Sequence, residues 1–237
     1  MTVADGRVRF DRHTPNPREP DRIHADPLPF KLDVPAKGSA AAGLAGRTQV
    51  LAVPDGCLVA FNAGEFGAGV RWFSSDAEHR KHLGSEHVVR LIDTAAGPLG
   101  FVGFSHLSAS EGGVLRFTRD ANRRWVSKVF ANLKSASAVW KESDGSVLVA
   151  SSEGVERVRM DGQVEPLYSA DWGLASPQTI AASPDGTIYV GMQRAIARLT
   201  PTGHTLREEW LVDANCAHLH ASIDRVAECE CGAASGP

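Results

Sequence analysis

Between residues 48 and 212 the chain alternates short apolar runs with turns rich in glycine, aspartate and serine. Side chains of an extended chain point to opposite faces in turn, so runs of this length and β-rich composition predict strands. Residues 49–53 and 57–61, separated by Pro54, Asp55 and Gly56, predict a tight hairpin. A longer loop over 62–68 leads to a third strand at 69–73, and a weak outer strand is expected at 79–83.

The same order then recurs. A second set is expected at 88–92, 99–104, 113–117 and 125–130, with 105–112 as a long loop. In its outer strand Trp125, Ser127 and Val129 should face one way, and Val126, Lys128 and Phe130 the other. Third and fourth sets follow at 138–140, 146–150, 154–160 and 164–168, then 179–182, 187–191, 195–199 and 206–212. The stretch opening at Gly154 has counterparts opening at Gly69, Gly113 and Ala195, with successive offsets of 44, 41 and 41 residues. The turn glycines Gly145 and Gly186 are also 41 apart, which supplies a second register for the same period. A period in the low forties with several strands per unit predicts an all-β fold, a small β-propeller. Its four four-stranded blades are expected at about 48–84, 88–133, 135–168 and 176–212.

The two ends lie outside the repeat. Residues 1–47 hold strand-like pieces at 7–10 and 28–34, with prolines at 15, 17, 20, 27, 29 and 35. Proline removes a ladder donor, so this segment reads as an extended piece that packs on or completes the propeller. The small-residue run 38–46 reads as a hinge, and 213–237 as a closing strand at 215–223 followed by a flexible tail. Sheet edges need cover. A partial fifth blade built from the N-terminal strands and the 215–223 strand is expected, with a closed four-bladed ring and wrapping tails as the alternative.

The repeated pattern, an Asp-Gly turn, a β-rich run, a loop, then Gly-Val-x-Arg (Ala-Ile-Ala-Arg in the fourth blade) and a second polar turn, stands in 144–162 and 185–203. It resembles the blades of NHL-type and gluconolactonase-like (SMP-30-like) propellers over about 48–212. The resemblance implies the fold. For lactonases of that kind it also implies a divalent cation at the channel mouth, held by glutamate, asparagine and aspartate, and this sequence does not display the full set.

Composition narrows the function classes. With 43% hydrophobic and 22% charged residues, a folded core is expected, and a net charge of −3 offers no field for a phosphate backbone. No apolar run approaches the roughly 20 residues that span a bilayer, so neither nucleic acid nor membrane is an expected partner. The first residues lack an apolar signal region, and the four cysteines are few, which together predict a cytoplasmic protein. The sequence has no phosphate loop, nucleophile elbow or HExxH motif, and this weighs against an enzyme.

In a propeller the connections from second to third strand, and those between blades, emerge at one end, where the longer loops place function. That end is expected to present Asn62, Glu65 and Phe66 from blade one, His106 and Glu111 from blade two, and Ser151 and Glu153 from blade three. Gln193 and Arg194 come from blade four, and Asp171 and Trp172 from the segment between blades three and four. Glu65 among glycines suits a metal ligand or a base, or else a solvated turn carboxylate; His106 suits an acid–base partner for it, or loop packing. Phe66 and Trp172 suit interface anchors or, equally, plugs between loop and core. Cys216, His218 and His220 alternate on one strand face, and Cys229 and Cys231 add thiolates, so zinc at this C-terminal cluster is a candidate although the spacing matches no established framework. Arg116, Arg157 and Arg198 share one repeat position and are expected to snorkel or to pair between blades. The leading expectation is a non-enzymatic propeller without cofactor that binds a protein partner through this end, as an inhibitor or immunity-type antagonist. The alternatives are a metal-dependent lactonase or esterase with its site at the channel mouth, and a small-molecule sensor.

Overall fold

The computed structural model describes residues 2–4, 7–9, 25–32, 43–106, 109–172, 176–192 and 195–212. The chain is all-β, a small β-propeller fold with four four-stranded antiparallel blades. Blade one comprises β3 (Arg47–Val53), β4 (Gly56–Asn62), β5 (Ala68–Ser74) and β6 (Arg80–Gly84), following the N-terminal pair β1 (Thr2–Ala4) and β2 (Arg7–Arg9). Blade two comprises β7 (Val88–Thr94), β8 (Gly97–His106), β9 (Ala109–Arg119) and β10 (Trp125–Ala131). Blade three has β11 (Ala138–Lys141), β12 (Val147–Ser151), β13 (Gly154–Val158) and β14 (Val164–Ser169). Blade four has β15 (Thr179–Ala182), β16 (Ile188–Gly191), β17 (Ala195–Thr202) and β18 (Thr205–Val212). Blades one and two belong to one compact unit and blades three and four to another.

Burial follows position in the blade. The second strands β4 and β12 are buried along most of their length, because both faces meet neighbouring apolar side chains; their sequences accordingly read as unbroken apolar runs. Outer strands such as β6 and β14 are only partly covered and mix polar with apolar residues. In the first unit Leu58, Val70, Val88, Leu91, Val102, Leu115 and Phe117 form a core to which both blades contribute. Each such side chain contributes on the order of 1.5–3 kcal/mol by leaving water. Polar struts reinforce that join: Lys81 Nζ donates to Trp125 O at 2.6 Å, Ser127 Oγ to Leu83 O at 2.6 Å, and Arg90 Nη1 to Gln49 Oε1 at 3.0 Å. Asp55, in the first turn of blade one, accepts from Trp125 Nε1 at 3.1 Å and pairs with Arg119. In the second unit Leu148, Val155, Ile188, Val190 and Leu199 form the corresponding core.

Several expectations are corrected. Residues 25–32 carry no strand. Pro27 and Pro29 lack the N–H groups a ladder needs, and the segment instead hooks the edge of β3 through one residue. Asp26 N donates to Thr48 O at 2.8 Å, Asp26 O accepts from Thr48 Oγ1 at 2.6 Å, and its carboxylate accepts from Val50 N at 2.9 Å. Leu28, Phe30 and Leu32 then pack over Cys57, Val59, Phe61 and Phe73, with Phe30 and Phe73 ring centroids 4.7 Å apart.

The hinge expected at 38–46 is packed where it is described: a Cβ on Gly46, at φ +93°, would stand 2.1 Å from Asn62 O. Among the described strands β1 and β2 pair only with each other, and the other expected member of a fifth blade, 215–223, lies outside the described residues. In β10 the register with β9 runs unbroken from Trp125 to Val129, as the expected alternation requires, and shifts only at a bulge between Val129 and Ala131; Trp125 is buried and Val129 70% exposed. The arginines pair within their own blades: Arg157 with Glu142 at 2.6 Å, Arg198 with its cross-strand partner Glu209 at 2.9 Å, and Arg116 over the Phe130 ring at 4.2 Å. For Arg198 a register neighbour on the adjacent strand supplies the partner.

Candidate functional site

The end of the first unit where β4 meets β5 and β8 meets β9 gathers ionisable side chains. The first connection is a 3-10 turn over Gly64–Phe66. Asn62 shapes it by accepting the Gly64 N–H on its side-chain oxygen at 3.0 Å, an Asx turn, and Gly64 takes φ +60°, where glycine is least hindered. The turn closes through Gly67 N to Gly64 O at 3.0 Å and Ala63 N to Gly67 O at 2.9 Å. Asn62 is therefore a structural cap, while Phe66 stands out at the tip, 70% exposed.

The second connection differs from the loop the sequence suggests. β8 and β9 continue as a ribbon whose pairs run Gly103 with Gly112, Phe104 with Glu111, Ser105 with Ser110 and His106 with Ala109. The paired glycines make this extension possible. The segment 133–136 crosses the ribbon so closely that a Cβ on Gly103 would lie 1.6 Å from Ala136 O, and one on Gly112 2.5 Å from Leu133 O.

Two histidine–glutamate pairs result. His106 Nε2 lies 3.0 Å from Glu65 Oε2, with both side chains 48% exposed. His87, just ahead of β7, places Nδ1 2.8 Å from Glu111 Oε2 and Nε2 3.1 Å from Gly64 O. Its ring is buried and stacks on Phe104 at 4.2 Å with 16° between planes; Phe104 in turn faces His106 at 6.3 Å. Three rings in succession, edged by two carboxylates, thus connect the Phe66 turn to the ribbon. The arrangement can bind polar or aromatic groups and can move a proton at the exposed Glu65–His106 pair.

The second unit brings together a different set. Glu153, exposed, lies in the β12–β13 turn, where its N–H donates to Ser151 Oγ at 3.1 Å. The segment after β14 docks on that turn: Ala170 N donates to Glu153 O at 3.0 Å and Trp172 N to Ser152 O at 2.9 Å. Asp171 between them is exposed. Trp172 is 2% exposed and sends its indole N–H to Glu208 Oε1 at 2.7 Å. It is a core plug with a satisfied polar end, which corrects its assignment as a surface anchor. Gln193, Arg194, Cys216, His218, His220, Cys229 and Cys231 lie outside the described residues. Among the described residues no three His, Cys, Asp or Glu side chains gather as a metal site, and no helix is long and apolar enough to cross a membrane.

Sequence reasoning missed His87 and Phe104. Phe104 was legible, two residues before His106 on one strand and so on its face. His87 was not, because its partners come from the turn of blade one and the third strand of blade two.

No family model matches the chain, and no curated protein matches it. Among solved structures it is similar to virginiamycin B lyase from Staphylococcus aureus, with 14% identity over 69% of this chain and 55% of that one, TM-score 0.47. It is similar to a luciferin-regenerating enzyme, with 9% identity over 70% and 63% of the two chains, TM-score 0.43. A gluconolactonase from Xanthomonas campestris shares 11% identity over 71% and 72%, TM-score 0.38. The chain thus spans less than two thirds of the length of the first two.

Proposed function

We propose that the protein is a binding module that engages a protein partner through the loop end of blades one and two, with Phe66 as its anchor. The observation that supports this reading is Phe66 itself, 70% exposed on a turn that is capped by Asn62 and tied to blade two through Glu65 and His106. A preorganised aromatic side chain loses little conformational freedom on binding and supplies a large apolar area, the usual character of an interface hot spot. Such a module suits an inhibitor or antagonist of its partner. The test is affinity capture from cells that express the protein, with wild type and Phe66→Ala compared at equal loading. Phe66→Ala should weaken capture of the specific partner by at least about 30-fold, the size of a hot-spot truncation, with an unchanged melting temperature. Equal capture by both proteins would reject this end of the molecule as the interface.

The 3.0 Å Glu65–His106 pair, open to solvent, favours a second reading, a lactone- or ester-hydrolysing site with these two groups as acid and base. Turnover of a lactone and aryl-ester panel by the wild type, lost in His106→Gln, would support it. Turnover that survives in His106→Gln would point to contamination or to another site.

A further inference from the structure

We propose that His87 is a proton-operated clasp, which with a doubly protonated ring holds the Phe66 turn and the β8–β9 ribbon together and on losing one ring proton lets go of the turn. The regulatory consequence rests on reading the Phe66 turn as the binding surface; the clasp itself does not. The argument is a count of donors. Both ring nitrogens face groups that accept, the Glu111 carboxylate at 2.8 Å and the Gly64 carbonyl at 3.1 Å. An imidazolium has two N–H donors and meets both, whereas a neutral imidazole has one, which the stronger bond to the carboxylate keeps, so that the Gly64 carbonyl is left facing a lone pair.

The ring has little freedom to find another arrangement. It is buried and stacked on Phe104, and the His87 carbonyl is fixed by the Gly103 N–H at 2.9 Å. Gly64 O is also the acceptor that closes the turn, taking the Gly67 N–H, so losing the His87 donor acts on the hydrogen bond that shapes the Phe66 tip. Among the described residues, the titratable group paired with the ring is Glu111 from β9; Glu86 adjoins His87 in the chain, and Glu65 lies in the same turn as Gly64. Glu65 itself pairs with His106 of β8. The clasp is therefore closed on the acid side and loosens as pH rises and the ring gives one proton to bulk water. Phe66 is held most firmly, and a partner bound most tightly, at the acid end.

The test is an NMR titration of the free full chain from about pH 5 to pH 8, following the histidine ring signals and the backbone amides of residues 64–67. The wild type should show the turn amides moving with the His87 ring, and Gly67 amide exchange becoming about five- to tenfold faster on the alkaline side beyond the intrinsic base dependence, the effect of one lost hydrogen bond. His106→Gln should keep this transition, and His87→Gln should abolish it. Glu111→Gln, a change at a half-exposed site, should move ring and turn midpoints together, which keeps the proposal testable if His87→Gln fails to fold. Turn amides that follow His106 alone, that do not move, or that still move in His87→Gln would overturn it. Partner capture by wild type and Phe66→Ala is a separate measurement, so a failed clasp and a failed interface give different results.

Discussion

Trp172 packs beside Tyr168, with ring centroids 6.1 Å apart, and both side chains converge on Glu208. Burial pushes the Tyr168 phenol above its ordinary range, and the Glu208 charge adds to the rise. Trp172→Ala should therefore cost about 3–5 kcal/mol in chemical denaturation, the scale of a vacated aromatic site. Trp172→Phe, which keeps most of the volume and loses the indole donor, should cost less, about 1–2 kcal/mol. A surface anchor would show neither loss. The sequence offered plug and anchor as equals for Trp172 and for Phe66, and the structure buries the first and exposes the second. The difference lies in whether a neighbouring strand supplies a carboxylate and a wall, which residue type does not encode. The Glu65–His106 approach is a milder case: loop composition suggested the two residues, but their 3.0 Å separation depends on a ribbon that the sequence concealed.

At the level of elements, the β8–β9 ribbon shows how glycine carries two different demands. Gly103 is required by space, since Ala136 O occupies the place of its Cβ, whereas Gly64 has nothing within 4 Å and is required by its φ of +60°. Gly103→Ala should destabilise the protein by about 3 kcal/mol or more, as overpacking against backbone does. Gly64→Ala should cost only about 1–2 kcal/mol, the left-handed penalty for an L-residue. Denaturant unfolding of the two variants checks the order, and the reverse order would mean that segment 133–136 yields easily. The strands themselves were legible, because apolar runs and Asp-Gly turns repeat at a fixed interval. The ribbon was not. Its Ser, Glu and Gly residues have loop composition, and their pairing continues a ladder begun by the apolar residues before them.

For the molecule as a whole, the recurring aspartates of the hairpin turns link the fold to pH. The hydroxyl of Ser146 and then its N–H hold the Asp144 carboxyl below its ordinary range, and Ser183 and then the Thr187 N–H do the same for Asp185. At Asp120 the Arg124 N–H is the largest cause, and at Asp76 the Ser74 hydroxyl. At Asp55 burial acts the other way and is outweighed by Arg119 and Trp125, so its carboxyl also falls. A carboxyl that is depressed in the folded state lends stability above its unfolded pKa and loses it as pH falls through the folded one. The melting temperature should therefore hold across the mildly acidic range and decline once pH drops below about 3.8, the ordinary aspartate value. In Asp144→Asn and Asp185→Asn variants this decline should be shallower; an unchanged slope would show that these turns do not carry it. This much follows from a repeat visible in the sequence, since the turn aspartate recurs with the blade.

The hook at Asp26 has a different bearing on the life of the protein. β3 is the first strand of its sheet, and the amide of Val50 and the carbonyl of Thr48 on its outer side are taken up by that single residue, while Phe30 roofs the Phe73 ring. Were this cover nicked away by a protease, a sticky rim would open on which a second molecule could stack, so it serves as a guard against polymerisation as much as a source of stability.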